Sequence, residues 1–162
     1  GQQIGFLIGL RTQHAHRRFV IMGFSFERGV GEMLENLGHR AESTIEPLFR
    51  HLKGEANLWE RFIRYDKAHP GAAEVGNIHF APNSLNDYDW GNRRKVLSRY
   101  HTWKNFPSLD GEAQTVDASH WGGGDIRAHH LWWFNLLPHV EGSTNGISHN
   151  WWQYIIDPNT VP

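Results

Sequence analysis

Apolar residues recur at helical spacing from Val30 onward. Val30, Met33, Leu34, Leu37, Ala41 and Ile45 fall on one side of a helix that runs to about Glu46. Pro47 fits the first turn of a further helical segment carrying Leu48, Phe49 and Leu52. The same period returns from Glu55 to Ala68, with Leu58, Trp59, Phe62 and Ile63 on one side, until His69-Pro70-Gly71 stops it. Continuous apolar runs predict strands at Ile4 to Leu10, Phe19 to Phe26 and Val75 to Phe80, and a short one at Thr115 to Ala118. Residues 11–18, 83–92 and 142–150 read as loops, and 27–31 and 106–111 as turns. Arg93 to Trp103 has no decisive period, and Trp151 to Ile156 fits a final strand or half-turn. Gly122-Gly123-Gly124 leads into Asp125, a good N-cap for a helix from Ile126 to Leu137. That helix is apolar nearly all round at its end, at Leu131, Trp132, Trp133 and Phe134, so it belongs in the interior.

This order of elements predicts an α/β or α+β fold: one compact domain over residues 1–162, with a mixed sheet flanked by helices. The chain begins Gly-Gln-Gln and ends Asp-Pro-Asn-Thr-Val-Pro, which reads as a processed piece of something longer. A strand that turns through glycine into a helix places sites beyond its C-terminal end, where Phe26, Glu27 and Arg28 stand.

Composition narrows the chemistry. The chain has 162 residues, 39% hydrophobic and 20% charged, with a net charge of −1, an ordinary profile for one folded domain. No basic patch interleaves with aromatics, so nucleic acid is not an expected partner. The absence of cysteine excludes disulfides, thiolate catalysis and cysteine-based zinc sites. The longest apolar run, Leu131 to Leu137, is too short to span a membrane. There is no P-loop or dinucleotide glycine motif, hence no expected nucleotide cofactor, and no HExxH or GxSxG signature. Two excesses change the picture. Of twelve histidines and eight tryptophans, five of each lie between His120 and Trp152, which concentrates ligand, acid–base and stacking groups in the last third of the chain.

Three constellations follow. On the first helix Glu32, Glu35, His39, Glu42 and Glu46 share a strip well under half the circumference, at about 100° per residue. Carboxylates and imidazole one turn apart converge on a divalent cation. The same strip lies nearly opposite the apolar side, where a solvated face belongs. Gly38 weakens the helix unless close approach is needed there. In the last third, His129 and His130 point about 100° apart, so one can join a site while its neighbour packs. The tandem tryptophans divide in the same way between core and groove. In the loop from Ile78 to Asn92, Asp87, Asp89 and Asn92 offer hard oxygen ligands at near-alternate positions, and His79 is a ligand or base at a strand's end.

Together these predict a hydrolase working outside the cytoplasm on a glycan or peptide, by metal-assisted (zinc or calcium) or carboxylate-based attack of water. His39 and Glu42, with one of His79, His129 or His130, hold the cation, and Glu35 or Glu27 activates water. Trp90, Trp121 and Trp132 offer stacking surfaces, and Asp87 and Asp89 bind substrate. The competing expectation is a non-catalytic glycan-binding or self-assembling domain of a larger extracellular protein. It would present exposed coplanar tryptophans without converging titratable groups.

Overall fold

The computed structural model describes residues 16–25 and 27–161. The predicted strand at Ile4 to Leu10 lies outside them. The fold is α+β: helices plus two small antiparallel sheets around one aromatic core.

The first helix, α1 (Val30–Phe49), carries the predicted apolar side inward through Ala41, Ile45 and Phe49. It passes unbroken through Pro47, where a break was expected. The proline stands in the last turn, so its missing N–H removes only one terminal hydrogen bond. Gly38 has a packing reason: a Cβ there would sit 2.4 Å from the side chain of Ile78. Gly31 does the same nearer the helix start, where a Cβ would sit 2.4 Å from Ile126. The two glycines let the segment around Ile78 and the start of another helix lie directly on α1.

The second predicted helix is much shorter than its periodicity implied. After a 3₁₀ turn (Gly54–Ala56), α2 spans only Leu58–Phe62, with the Asn57 side chain accepting from Glu60 N–H. The carbonyls that would continue it are taken by another segment. Phe62 O accepts from Val75 and Gly76 N–H, and Arg64 O accepts from Glu74 N–H. Tertiary hydrogen bonds thus end α2 where local period alone would extend it.

Two predicted strands are not strands. Residues 19–25 form no strand beyond a single bridge residue, Val20, and the apolar side chains of Phe19, Ile21 and Phe24 are exposed. At Val75 to Phe80 the chain makes a tight turn instead, with Val75 buried before it and Ile78 buried within it. Asn77 Oδ1 accepts from His79 and Phe80 N–H, an Asx turn that replaces a sheet ladder.

The first sheet pairs β1 (Val96–Ser98) with β2 (Gln114–Val116), the latter close to the predicted short strand. A 3₁₀ segment (Tyr100–Asn105) lies between them and another (Ala118–Trp121) follows. Helix α3 (Ile126–Leu136) forms as predicted, with Asp125 Oδ1 accepting from Ala128 N–H at 2.7 Å. The expected loop at 142–150 is instead a hairpin of β3 (His139–Thr144) and β4 (Ile147–Asn150). Asn145 and Gly146 turn it, at φ of +53° and +77°, the Asn-Gly chemistry that suits a two-residue hairpin. Helix α4 (Trp152–Ile156) closes the described chain with a final 3₁₀ turn (Pro158–Thr160).

The core explains most of the tryptophan excess. Trp59, Trp103, Trp121, Trp133 and Trp151 are all buried. Three of them find a partner for the indole N–H: Trp103 at Glu74 Oε2, Trp121 at Trp90 O and Trp133 at Gly76 O. These three rings supply buried area with a satisfied polar edge.

Candidate metal centre

The centre forms where the segment following α2 crosses α1. Because Gly38 has no side chain, Ile78 packs into the helix and brings His79 against His39. Glu42 reinforces the crossing, its Oε1 accepting from Ile78 N–H at 3.0 Å. The loop that carries Asp87 and Tyr88 is held by its own side chains. Asn83 donates to the carbonyls of Asn92 and Arg94, Ser84 donates to Asp89 O, and Asp89 Oδ2 accepts from Asn92 and from Leu85 N–H.

Three donor atoms converge. His39 Nε2 and His79 Nε2 face each other at 2.9 Å. Glu35 Oε1 lies 3.3 Å from His79 Nε2 and 3.9 Å from His39 Nε2. Among the described residues, Glu35, His39 and His79 are the group whose donors all lie within 4.8 Å of one another, and this group can hold a metal ion. All three side chains are partly open to solvent.

Each imidazole is backed by a carboxylate. His39 Nδ1–H donates to Glu42 Oε2 at 3.0 Å, and His79 Nδ1–H donates to Asp87 Oδ1 at 2.8 Å. With both Nδ1 atoms protonated, the lone pairs of neutral rings sit on the two Nε2 atoms that face each other. Two lone pairs at that separation repel unless a proton or a cation lies between them. Three carboxylates, Glu35, Glu42 and Asp87, surround the two rings, so the local balance of charge favours either. The hydrogen bond to Glu42 raises the pKa of His39, with the charges of Glu42, Glu35 and Asp87 adding to it against the opposing effect of burial.

Tyr88 completes the centre and was given no role by sequence reasoning. Its hydroxyl donates to Glu35 Oε1 at 3.1 Å, and its ring lies 4.4 Å from that of His79. Its backbone is left-handed, at φ +59°, a conformation that a bulky side chain adopts only under constraint. Burial of the hydroxyl, followed by its bond to Glu35 and the charges of Glu35 and Asp87, pushes its pKa up to about 12. The phenol therefore stays a proton donor at any physiological pH. Its one sequence signal is its place beside Asp87 in a long polar loop.

The predicted site residues divide as follows. His39 and His79, expected as ligands, and Glu35, expected as a water-activating base, are the three that the fold brings together. Glu42 and Asp87, expected as a ligand and a substrate contact, stand behind the histidines. Asp89 closes the loop, and its carboxylate and that of Asp87 turn to different partners. Glu27 is exposed at the turn before α1. His129 lies outside the converging group, buried with its ring stacked on Trp90 at 5.1 Å. Its pKa is held well below the ordinary value by burial and by the neighbouring His130. Trp90 and Trp121 are 5% and 1% exposed and so offer no open ring face, whereas Trp132 is partly exposed beside Trp121 and Tyr100.

No helix among the described residues is long and apolar enough to cross a membrane. Set against known proteins, the chain matches no family model, no curated protein and no solved structure, so the character of the centre is read from its own geometry.

Proposed function

We propose that this protein is a metal-dependent hydrolase that binds a zinc-class ion through Glu35, His39 and His79. The observation that carries this is the pair of imidazole Nε2 atoms facing each other at 2.9 Å, each ring fixed from behind by a carboxylate. Metal-bound histidines are oriented in this way, since the outer carboxylate fixes the tautomer and raises the basicity of the ligating nitrogen.

Donor type and spacing favour zinc over calcium. Donors about 2.0–2.1 Å from a tetrahedral zinc ion stand roughly 3.3–3.4 Å apart. The three separations here, 2.9, 3.3 and 3.9 Å, bracket that spacing. Calcium takes six to eight oxygen donors, whereas two of these three are nitrogens. Three protein donors at a solvent-open position match catalytic rather than structural zinc, and leave a coordination place for water.

When bound there, such an ion would supply Lewis-acid chemistry, lowering the pKa of water toward neutrality. Water so activated would add to a substrate carbonyl, forming a carbon–oxygen bond while the carbonyl electrons move onto oxygen. Tyr88, a neutral phenol bonded to Glu35 Oε1, would turn its one O–H from that carboxylate to the carbonyl oxygen. The bond to the leaving group would then break, and the leaving group would depart with the proton given up by the water. Of the two expected substrate classes, peptide is favoured over glycan, because the burial of Trp90 and Trp121 removes most of the expected stacking platform.

The test is hydrolysis of a panel of peptide and simple ester substrates by chelated and zinc-reloaded protein. Activity that returns with zinc and is lost in Glu35→Gln and His39→Ala supports the assignment. Activity indifferent to zinc, or untouched by both substitutions, overturns it.

A further inference from the structure

Glu46 continues the strip of α1 that carries Glu35, His39 and Glu42, one helical turn further on, and the metal centre gives it no role. There it borders a cavity of about 390 Å³, whose lining also includes Arg50, Lys53, Glu60, Arg64 and His69. That volume lies within the usual range of small-ligand sites, roughly 300–1,000 Å³.

The cavity and the centre are built from the same two pieces of chain. On one side α1 runs from the donors to Glu46 and ends at Arg50, its C-cap. On the other, the segment bearing Arg64 and His69 is fastened to the residues that follow His79. The ring of Tyr65 stacks on that of Phe80 at 4.7 Å, and Asp66 N–H donates to Pro82 O at 2.8 Å.

The charges of the lining fall in an order along α1. Arg64 is already engaged, its Nη2 donating to Glu55 Oε1 at 2.7 Å. Arg50 and Lys53, at and beyond the end of the helix, are exposed, and neither makes an ion pair with a described residue. Glu46 stands between these cations and the centre, and Glu60 offers a second carboxylate from α2. A ligand that runs from the centre along α1 therefore meets hydrogen-bond acceptors first and two cations after them. A peptide has the matching polarity, with backbone N–H groups along its length and a carboxylate at its C-terminus.

We propose that this cavity binds the free C-terminal carboxylate of a short peptide, with Arg50 and Lys53 as the cations that hold it. The guanidinium of Arg50 suits a carboxylate in particular, since its two parallel N–H groups match the two oxygens. The helix also sets the length of peptide. Arg50 stands eleven positions beyond His39, roughly 16 Å along the axis at about 1.5 Å per residue. Allowing for the reach of the arginine side chain, an extended peptide covers that span in about three to five residues. Cleavage at the centre would thus fall that far from the peptide's end. The position of cleavage rests on the metal-hydrolase reading above, whereas the binding of the carboxylate does not.

The probe is an N-acetylated hexapeptide of alanine and glycine, prepared with a free C-terminal carboxylate and as its C-terminal amide. Calorimetry measures the binding of each to the full chain, kept in chelator so that binding is read without cleavage. The acid is expected to bind at least about tenfold more tightly than the amide, with an advantage that shrinks as salt is raised. In the double variant Arg50→Gln, Lys53→Gln, acid and amide should bind alike. Both substituted residues are exposed, so the variant should keep the wild-type melting temperature. Acid and amide bound equally by wild type, or not bound, overturns the site. So does an acid preference that survives the double substitution. With zinc restored, amidation should raise KM at least about tenfold and leave kcat within about threefold. Acid-selective binding without zinc-dependent cleavage supports the carboxylate site and removes the hydrolase reading. Zinc-dependent cleavage indifferent to amidation overturns the carboxylate site and leaves that reading standing.

Discussion

At the scale of single residues, the centre works through pairs in which one group sets the state of another. Glu42 does not reach the converging donors, yet it fixes the His39 tautomer and bonds the backbone of Ile78. Glu42→Gln keeps the shape but can present an amide N–H to Nδ1, which favours the wrong tautomer. Zinc affinity should fall about 10–100-fold, as measured by competition with a chromogenic chelator. An affinity equal to wild type would show that the outer carboxylate is idle. Tyr88 acts on Glu35 and on substrate. Tyr88→Phe should retain zinc and change stability by about 1 kcal/mol or less, since one half-exposed hydrogen bond is lost. Its peptide hydrolysis should drop at least tenfold. A fall in zinc content in place of a fall in rate would reassign Tyr88 to holding Glu35.

At the scale of elements, the decisive contact is between a helix and a loop. A methyl at Gly38 would meet Ile78 at 2.4 Å, and the nearest atoms belong to a branched side chain in the core. Gly38→Ala should therefore destabilise by about 1–3 kcal/mol in urea melts despite its better helix propensity. Adding Ile78→Ala should recover some of the loss, and simple additivity of the two would contradict the clash. The strip Glu35, His39 and Glu42 was legible because helical spacing is local. Its covering was not, since the residues that cover it lie some forty positions further along the chain. The periodicity that predicted a helix to Ala68 was overruled for the same reason: hydrogen bonds from Glu74, Val75 and Gly76 capture the carbonyls of Phe62 and Arg64. Asp125 and its helix were legible because a cap bonds within its own turn. The hairpin at Asn145-Gly146 carried an equally local signal that loop composition obscured.

At the scale of the whole molecule, the His-rich and Trp-rich last third supplies the interior more than an open face. Two histidines are taken into that interior as neutral rings, and acid should work against them. Both His129 and His130 have folded pKa values below the unfolded value of about 6.5. Their stabilising contribution is complete above that value and is lost as pH falls from it, through about 4 for His130. The slope approaches 1.4 kcal/mol per pH unit for each ring. His39 has the opposite sign: its pKa is raised, so its contribution is present below about 6.5 and is lost as pH rises through the folded value. His39 is partly solvated, which weakens its term by screening. The acid loss should therefore dominate. Urea melts with chelator present should show stability falling steadily from pH 6.5 to 4.5, with a shallower slope in His130→Leu. Equal slopes in the two proteins would show that His130 is not held neutral. The class of fold was legible from the order of elements. The two separate sheets were not, because the runs at 19–25 and 75–80 look like strands but belong to neither sheet.

The most direct test of the metal centre is the metal content of untagged protein by mass spectrometry, paired with its melting temperature before and after chelation. The prediction is close to one zinc per chain. Chelation should lower the melting temperature by about 5–10 °C, as expected for a ligand held near a hundredfold above its dissociation constant. A variant lacking the donors at Glu35, His39 and His79 should show neither the zinc nor the shift. Protein without metal, whose melting is unchanged by both zinc and chelator, would contradict the metal centre and leave the two facing histidines joined by a shared proton.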